Sequence, residues 1–135
     1  MCGIAGIINH DGAPVAPTVL KAMTDAIAHR GPDGEGQWIE GNVGFGHRRL
    51  SIIDLSDNGQ QPMHSSTGRF VITYNGEIYN FRELREELKN RGVQFRSETD
   101  TEVLLELYAL EGLAMLAKLN GMFAFAIYDK KERDV

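Results

Sequence analysis

The 135-residue sequence has a single cysteine and no long hydrophobic run. One cysteine cannot form an internal disulfide, so nothing demands an oxidising compartment, and a cytoplasmic location is the default expectation. No apolar stretch approaches the roughly 18 residues of a membrane span, and no basic segment followed by an apolar one opens the chain. The sequence therefore predicts neither a membrane segment nor a secretory signal.

Clustered positive charge and metal-ligand spacing are also absent. The formal net charge is −5, and the 14 lysines and arginines are scattered along the chain. Nucleic-acid and anionic-membrane partners need a basic face, so neither is expected. The four histidines follow no metal-ligand spacing and have no second cysteine near them, so no metal site is expected.

The composition is typical of a soluble globular domain, with 42% hydrophobic and 24% charged residues. Residues 4–8 and the segments RFVITY and MFAFAIYD predict strands. The segment GQWIEGNVGFGHRRL predicts two further strands with a turn at Gly41–Asn42. Because RFVITY and MFAFAIY are almost continuously apolar, we expect them to be covered on both faces, as in stacked sheets with helices outside.

Three helices are predicted from apolar residues at helical spacing. The first runs from Pro17 to His29. The second follows Asn80, which would cap it, with Glu83 completing a capping box. The third repeats this pattern, with Thr99 as the cap and Glu102 completing the box. The chain then stops at DKKERDV, which reads like the turn of an unfinished hairpin. We therefore expect an α+β domain, incomplete at its C-terminus.

The sole cysteine is residue 2, where removal of Met1 would make it N-terminal. A free α-amino group has a pKa near ~7.7–8, so near neutral pH part of it is free base. It would take the thiol proton directly or through water, giving a nucleophile with its own base. The alternative is a small buried apolar residue at the start of a strand, and position alone favours it.

Other segments offer groups that complement a nucleophile. Asn75 carries an amide donor and Gly76 an accessible main-chain N–H, and two such donors form an oxyanion hole. The alternative for this pair is a plain Asn-Gly turn. Asp100 opens a predicted helix. The alternative to a binding role is a carboxylate that only interacts favourably with the helix dipole.

The segment GHRRLSIID places two arginines at a strand end. Arginine binds a carboxylate bidentately. Neighbours on a strand point to opposite faces, so only one of Arg48 and Arg49 enters a given pocket, and the alternative is two solvated arginines. An arginine together with one or two carboxylates is what binding a free amino acid requires.

Seven motifs occur in one order over nearly the whole chain: MCGIAGI, HRGPDGEG, GHRRLSIIDLS, QPM, YNGEIYNFRELREEL, SETDTEVLLELY and LNGMFAFAIYD. As an ordered set they resemble the N-terminal glutaminase domain of class II glutamine amidotransferases, specifically the asparagine synthetase (glutamine-hydrolysing) family. The resemblance implies a four-layer αββα fold of the N-terminal-nucleophile hydrolase type over residues 2–135. It also implies hydrolysis of glutamine to glutamate and ammonia.

The resemblance implies a role for each matched residue. Cys2 aligns with the nucleophile, and Asn75 and Gly76 align with the oxyanion hole. Glutamine binding is implied for the α-carboxylate ligand Arg49, the main chain of Leu50, Ser51, Ile52 and Ile53, and the amino-end ligands Glu77 and Asp100. The HRGPD segment is a family hallmark for which the residues themselves indicate no role.

No cofactor is implied for this domain. ATP and Mg²⁺ are implied for a C-terminal synthetase domain, expected to be missing here, that would use the ammonia to convert aspartate to asparagine. The sequence does not decide whether the parent protein is a homodimer. It also leaves two alternative functions: an amidotransferase for a sugar, peptide or antibiotic-precursor acceptor, and a non-catalytic module that binds glutamine or a partner.

Overall fold

The computed structural model describes residues 1–135, which form six strands and three α-helices with short 3₁₀ turns between them. In chain order the elements are β1 (Gly3–Ile8), α1 (Pro17–Ala26), β2 (Gly34–Glu40), β3 (Val43–Arg49), β4 (Met63–His64), β5 (Phe70–Ile78), α2 (Phe81–Asn90), α3 (Asp100–Glu111) and β6 (Gly121–Asp129). None of the helices is both long enough and apolar enough to cross a lipid bilayer.

The strands form two antiparallel sheets, ordered β1–β3–β2 and β4–β5–β6. Glu40 pairs with Val43, so the turn predicted at Gly41–Asn42 is confirmed. Gly3 pairs with Arg48, which brings the N-terminus beside the end of β3. The sheet pairing therefore places the sole cysteine next to the arginine pair, although Cys2 and Arg48 are 46 positions apart in the chain.

Helices cover the outer face of each sheet. Helix α1 packs on the first sheet, and α3 packs on the second with α2 beside it. The larger core, 13 buried residues, lies between the second sheet and its helices. A smaller cluster of Val43, Phe45, Val71 and Tyr128 lies between the two sheets. The predicted four-layer αββα arrangement is thereby confirmed.

The two apolar strands differ in how well they are covered. Residues 70–74 of β5 are all buried, as their sequence predicts. For β6 the prediction of two covered faces is wrong, because Met122 is 60% exposed and only Ile127 and Tyr128 are buried. Strand β6 is the edge of its sheet, and α3 packs against β5 instead.

The predicted helix ends hold where the capping contact is local and fail where a distant residue binds the capping side chain. Helix α3 begins as predicted, with Thr99 Oγ1 accepting from the Glu102 N–H at 3.2 Å. Asn80 precedes α2, but the predicted side-chain cap is wrong. Its amide instead donates to Lys118 O at 2.8 Å and accepts from the Asn120 N–H at 3.0 Å. Helix α1 is also shorter than predicted, because a 3₁₀ turn replaces its last residues.

Candidate functional site

The sole cysteine lies on a cleft at the ends of β1 and β3. The cleft contains about 770 Å³ of space free of atoms, counted to its open mouth. Its walls come from the N-terminus, the segment after β3, the middle of β5, the start of α3 and Met122 of β6. Nine of the ten sequence-predicted site residues line it: Cys2, Arg49, Leu50, Ser51, Ile52, Ile53, Gly76, Glu77 and Asp100.

Asn75 is the predicted site residue that the structure does not place on the cleft wall. Asn75 and Gly76 lie inside β5, so the alternative of an Asn-Gly turn is wrong. Since side chains alternate along a strand, Asn75 faces away from its neighbours Tyr74 and Gly76, which line the cleft. Its Oδ1 is buried and has no hydrogen-bond partner.

The Cys2 thiol contacts the segment that follows β3. Its Sγ accepts from the Leu50 N–H at 3.3 Å and lies 3.7 Å from Leu50 O. The side chain is half-buried. No histidine or carboxylate is hydrogen-bonded to the thiol, so a base for its proton has to come from another group.

The two neighbouring arginines point to opposite faces, as predicted. Arg49 lines the cleft. Arg48 extends towards α1, where it donates to Thr24 O at 3.0 Å and pairs with Asp25 and Glu35. The alternative of two solvated arginines is wrong, because the Arg48 side chain is only 15% exposed and is held by both carboxylates.

The Arg49 guanidinium is oriented by main-chain carbonyls of the following loop. Its Nη1 donates to Ser56 O at 2.7 Å, and its Nη2 donates to Asp54 O. An arginine has five N–H donors, so three remain for a ligand. The structure thus presents a fixed cation on the cleft, with donors available for a carboxylate.

Carboxylates line another part of the same cleft. Asp100 is 5% exposed, and its Oδ2 accepts from the Tyr74 hydroxyl at 2.7 Å and the Ile78 N–H at 3.0 Å. Burial, followed by the charge of Asp100, raises the pKa of Tyr74 well above its usual value, so this hydroxyl remains a donor. The Oδ1 of Asp100 makes no hydrogen bond within the chain, and the exposed Glu77 adds a second carboxylate.

The HRGPD segment connects the two strands that carry the cleft, a role that sequence reasoning missed. Arg30 Nε donates to Cys2 O at 3.4 Å. Asp33 Oδ2 accepts from the Ser51 N–H at 2.8 Å, and the Asp33 N–H donates to Arg49 O at 3.0 Å. These bonds join residues up to 28 positions apart, so the spacing of residues within the motif does not predict them. The only sequence signal is the occurrence of the motif itself.

Two glycines of the sequence motifs permit close approach of main chains. A Cβ on Gly31 would lie 2.5 Å from the main-chain nitrogen of Arg49. A Cβ on Gly76 would lie 2.5 Å from Met122 O on the paired strand β6. Both distances are shorter than real Cβ contacts, so any larger residue would displace a cleft wall.

His47 is buried between the sheets, two residues before Arg49, and is 1% exposed. Desolvation, with a smaller contribution from the charge of Arg49, lowers its pKa to about 4, although a hydrogen bond with Tyr74 O opposes the shift. In the unfolded chain a histidine titrates near ~6.5. Above that pH neither state binds the proton. As the pH falls to 4, only the unfolded state binds it, and the free energy of unfolding decreases by about 3 kcal/mol.

We therefore expect His47 to remain neutral in the folded protein down to about pH 5. Mass spectrometry of hydrogen–deuterium exchange at the imidazole C2 position measures this titration residue by residue. The same peptide in denaturant is the control and should titrate near ~6.5. A folded-state midpoint above pH 6 would contradict the buried, uncharged imidazole.

The family model described as a glutamine amidotransferase domain matches residues 1–135. Asparagine synthetase (glutamine-hydrolysing) 1 of Bacillus subtilis strain 168 is 46% identical over 137 residues, covering 98% of this chain and 21% of that protein. Amidase chry2 of Gibberella zeae is 37% identical over 147 residues, covering 100% of this chain and 22% of that protein. The chain spans about a fifth of the length of these relatives.

Solved structures share the fold. Glutamine phosphoribosylpyrophosphate amidotransferase from B. subtilis, in complex with ADP and GMP, superposes with a TM-score of 0.80 at 24% identity, covering 96% of this chain and 35% of that one. The structure described as the allosteric regulatory enzyme of purine biosynthesis gives a TM-score of 0.76 at 24% identity. At this identity they bear on the fold alone, and they support the N-terminal-nucleophile type of αββα sandwich.

Proposed function

The chain belongs to the glutamine amidotransferase domain family, and on that premise we propose that it hydrolyses L-glutamine to glutamate and ammonia with Cys2 as the nucleophile. One observation carries the proposal. The sole cysteine lines the same cleft as Arg49, which has three free donors, and the carboxylates of Glu77 and Asp100. These groups complement one free α-amino acid beside a thiol.

Substrate binding uses charge at both ends of the amino-acid backbone. Arg49 binds the α-carboxylate of glutamine with the N–H groups that the loop carbonyls leave free. Glu77 and the free Oδ1 of Asp100 accept from the α-ammonium group. The main chain of residues 50–53 lies along the substrate, and this leaves the side-chain amide directed at Cys2.

Cys2 is activated by its own α-amino group once Met1 has been removed. Near neutral pH part of that amine is free base and accepts the thiol proton. The Leu50 N–H, 3.3 Å from Sγ, orients the sulfur towards the segment that follows β3. Sγ then bonds to the side-chain amide carbon of glutamine, and the carbonyl π electrons move onto oxygen.

The resulting oxyanion accepts from the Gly76 N–H and from the amide of Asn75. Asn75 Oδ1 makes no hydrogen bond within the chain. The α-ammonium group of Cys2 then donates its proton to the side-chain amide nitrogen of glutamine, the C–N bond breaks and ammonia leaves. Water then cleaves the γ-glutamyl thioester, which gives glutamate and restores the thiol.

For the whole protein we propose that the ammonia amidates aspartate to asparagine in the cytoplasm. The support is the 46% identity to an asparagine synthetase. The 37% identity to an amidase keeps a different acceptor as the second candidate. ATP and Mg²⁺ would serve this amidation step. No three His, Cys, Asp or Glu side chains of this chain are grouped to hold a metal ion.

The proposed function predicts that the natural full-length protein begins at Cys2 and releases equal amounts of glutamate and ammonia from glutamine. Intact-mass measurement and an enzymatic ammonia assay on one preparation test both points. The control carries an N-terminal tag that keeps the Cys2 nitrogen in a peptide bond, and it should be inactive with glutamine. Full activity in the tagged protein would contradict the amine base. Binding of glutamine without hydrolysis would favour the non-catalytic alternative.

A further inference from the structure

On the side of β5 that faces away from β6, the main chain at Tyr74 is held by two buried side chains instead of a neighbouring strand. Strand β4 pairs with β5 only at Val71 and Ile72, so Tyr74 lies beyond its end. The Tyr74 N–H donates to Gln61 Oε1 at 2.6 Å, and Tyr74 O lies 3.0 Å from His47 Nε2. A carbonyl oxygen only accepts, so Nε2 of the neutral imidazole carries the proton.

Both side chains are buried and extend from elements that carry other parts of the cleft. His47, 1% exposed, is on β3 with Arg49 two residues later. Gln61, 8% exposed, also donates from Nε2 to Thr101 Oγ1 at 3.2 Å, one residue after Asp100. The pair therefore connects the middle of β5 with β3 and with the start of α3.

The bonded peptide groups immediately precede the proposed oxyanion donors. Tyr74 O belongs to the peptide unit that contains the Asn75 nitrogen, and Gly76 follows. Oxyanion donors act only within about 3 Å of the developing charge, and a misplacement of about 1 Å can reduce a rate ~100-fold. Strand β6 pairs with this section of β5 on one side, and on the other side only side-chain bonds fix its position.

We infer that His47 and Gln61 are positioning residues that fix the Asn75–Gly76 segment of β5 relative to Cys2, an inference that rests on the proposed function. Neither residue touches the reacting atoms in this scheme. Gln61 lines the cleft, but neither residue is among the proposed glutamine ligands, so we expect their effect on the transition state to exceed their effect on substrate binding.

The variant His47→Met removes the donor while keeping a buried side chain of similar volume. We expect kcat for glutamine hydrolysis to fall about 10- to 100-fold while KM changes less than about threefold. His47→Gln, whose terminal amide nitrogen reaches the position of Nε2, should recover kcat to within about fivefold of the wild type. Gln61→Met should reproduce the loss, and it carries the same test if His47→Met does not fold.

The matched control is Thr73→Val. Thr73 Oγ1 donates to Gly46 O at 3.2 Å, so this variant also removes one buried side-chain bond between the sheets, but leaves Tyr74 untouched. We expect its kcat and KM to stay within about twofold of the wild type.

Alkylation of Cys2 by iodoacetamide separates a positioning role from a general loss of structure. A general loss of structure would change the alkylation rate together with kcat, whereas a positioning role would change kcat alone. The thiolate displaces iodide at a saturated carbon, so an S–C bond forms, the C–I bond breaks and no oxyanion develops. The alkylation rate of His47→Met should therefore equal that of the wild type.

The experiment measures steady-state glutaminase kinetics and alkylation rates for these variants in the natural full-length protein. A kcat within threefold of wild type in folded His47→Met overturns the inference. So does an equal loss of kcat in Thr73→Val, or a parallel loss of alkylation rate. Failure of the proposed function is distinguished by the wild type itself, which would then release no ammonia from glutamine.

Discussion

Replacing Cys2 by alanine should abolish glutamine-dependent ammonia release, with a loss of about 1,000-fold or more, as expected for removal of a nucleophile. These 135 residues contain no second thiol to replace it. The side chain is half-buried and bonded only to the main chain of Leu50, so its loss should leave the fold intact. Ammonia release from glutamine by the purified full-length variant, followed with a coupled assay, measures the effect.

Ammonia supplied directly provides the control for Cys2→Ala. If the whole protein is an amidotransferase, amidation of its acceptor from ammonium salts should continue in the variant, because only the source of ammonia is lost. Residual glutamine hydrolysis above a few per cent of wild type would place the nucleophile elsewhere. Loss of the ammonium-dependent reaction as well would indicate damage beyond the thiol.

Arg49→Ala should produce the second largest effect. Losing a charge-assisted bidentate contact to a desolvated carboxylate costs about 2–5 kcal/mol, or roughly 30-fold to several-thousand-fold in kcat/KM. Arg48→Ala should change kcat/KM less than about threefold, because Arg48 lies on the other face of β3 and pairs with Asp25 and Glu35. It should instead lower thermal stability. Steady-state kinetics with circular dichroism on both variants separates the two roles.

A substrate analogue tests the Arg49 contact itself. The α-methyl ester of glutamine lacks the carboxylate charge, so the wild type should discriminate against it by about the factor that Arg49→Ala loses on glutamine. In Arg49→Ala that discrimination should disappear, although the loop held through Ser56 O and Asp54 O is also released. If the variant still prefers glutamine over the ester as strongly as the wild type does, the carboxylate binds elsewhere.

Much of the fold could be predicted from sequence because the relevant signals are local. The alternation of a strand predicts that Arg48 and Arg49 face opposite ways, and a four-residue pattern predicts the Thr99 cap of α3. The predictions that fail concern long-range partners. The Asn80 side chain binds residues of the loop before β6, and Arg48 binds carboxylates on α1 and β2. Residues far away in the sequence supply these partners, so no local pattern could reveal them.

The site shows the same division. Motif order alone selects ten candidate residues, and nine of them line one cleft. The orientation of the tenth, Asn75, depends on the packing of β5 between two layers. The contact of the HRGPD loop with Cys2 depends on the pairing of β1 with β3, and its contacts with Arg49 and Ser51 depend on the pairing of β2 with β3.

By itself, the sequence determined the sole thiol, its position next to the start methionine, and that only one of Arg48 and Arg49 can enter a given pocket. These follow from composition and from the alternation of side chains along a strand. The αββα layer order and the choice of Arg49 came from the resemblance of the motifs to a known family. Only the tertiary structure decided that Arg49 is oriented by Asp54 O and Ser56 O, and that His47 and Gln61 bind the main chain of Tyr74. The physical reason is that a buried N–H or carbonyl must find a partner, and which side chain supplies it depends on how distant strands pack.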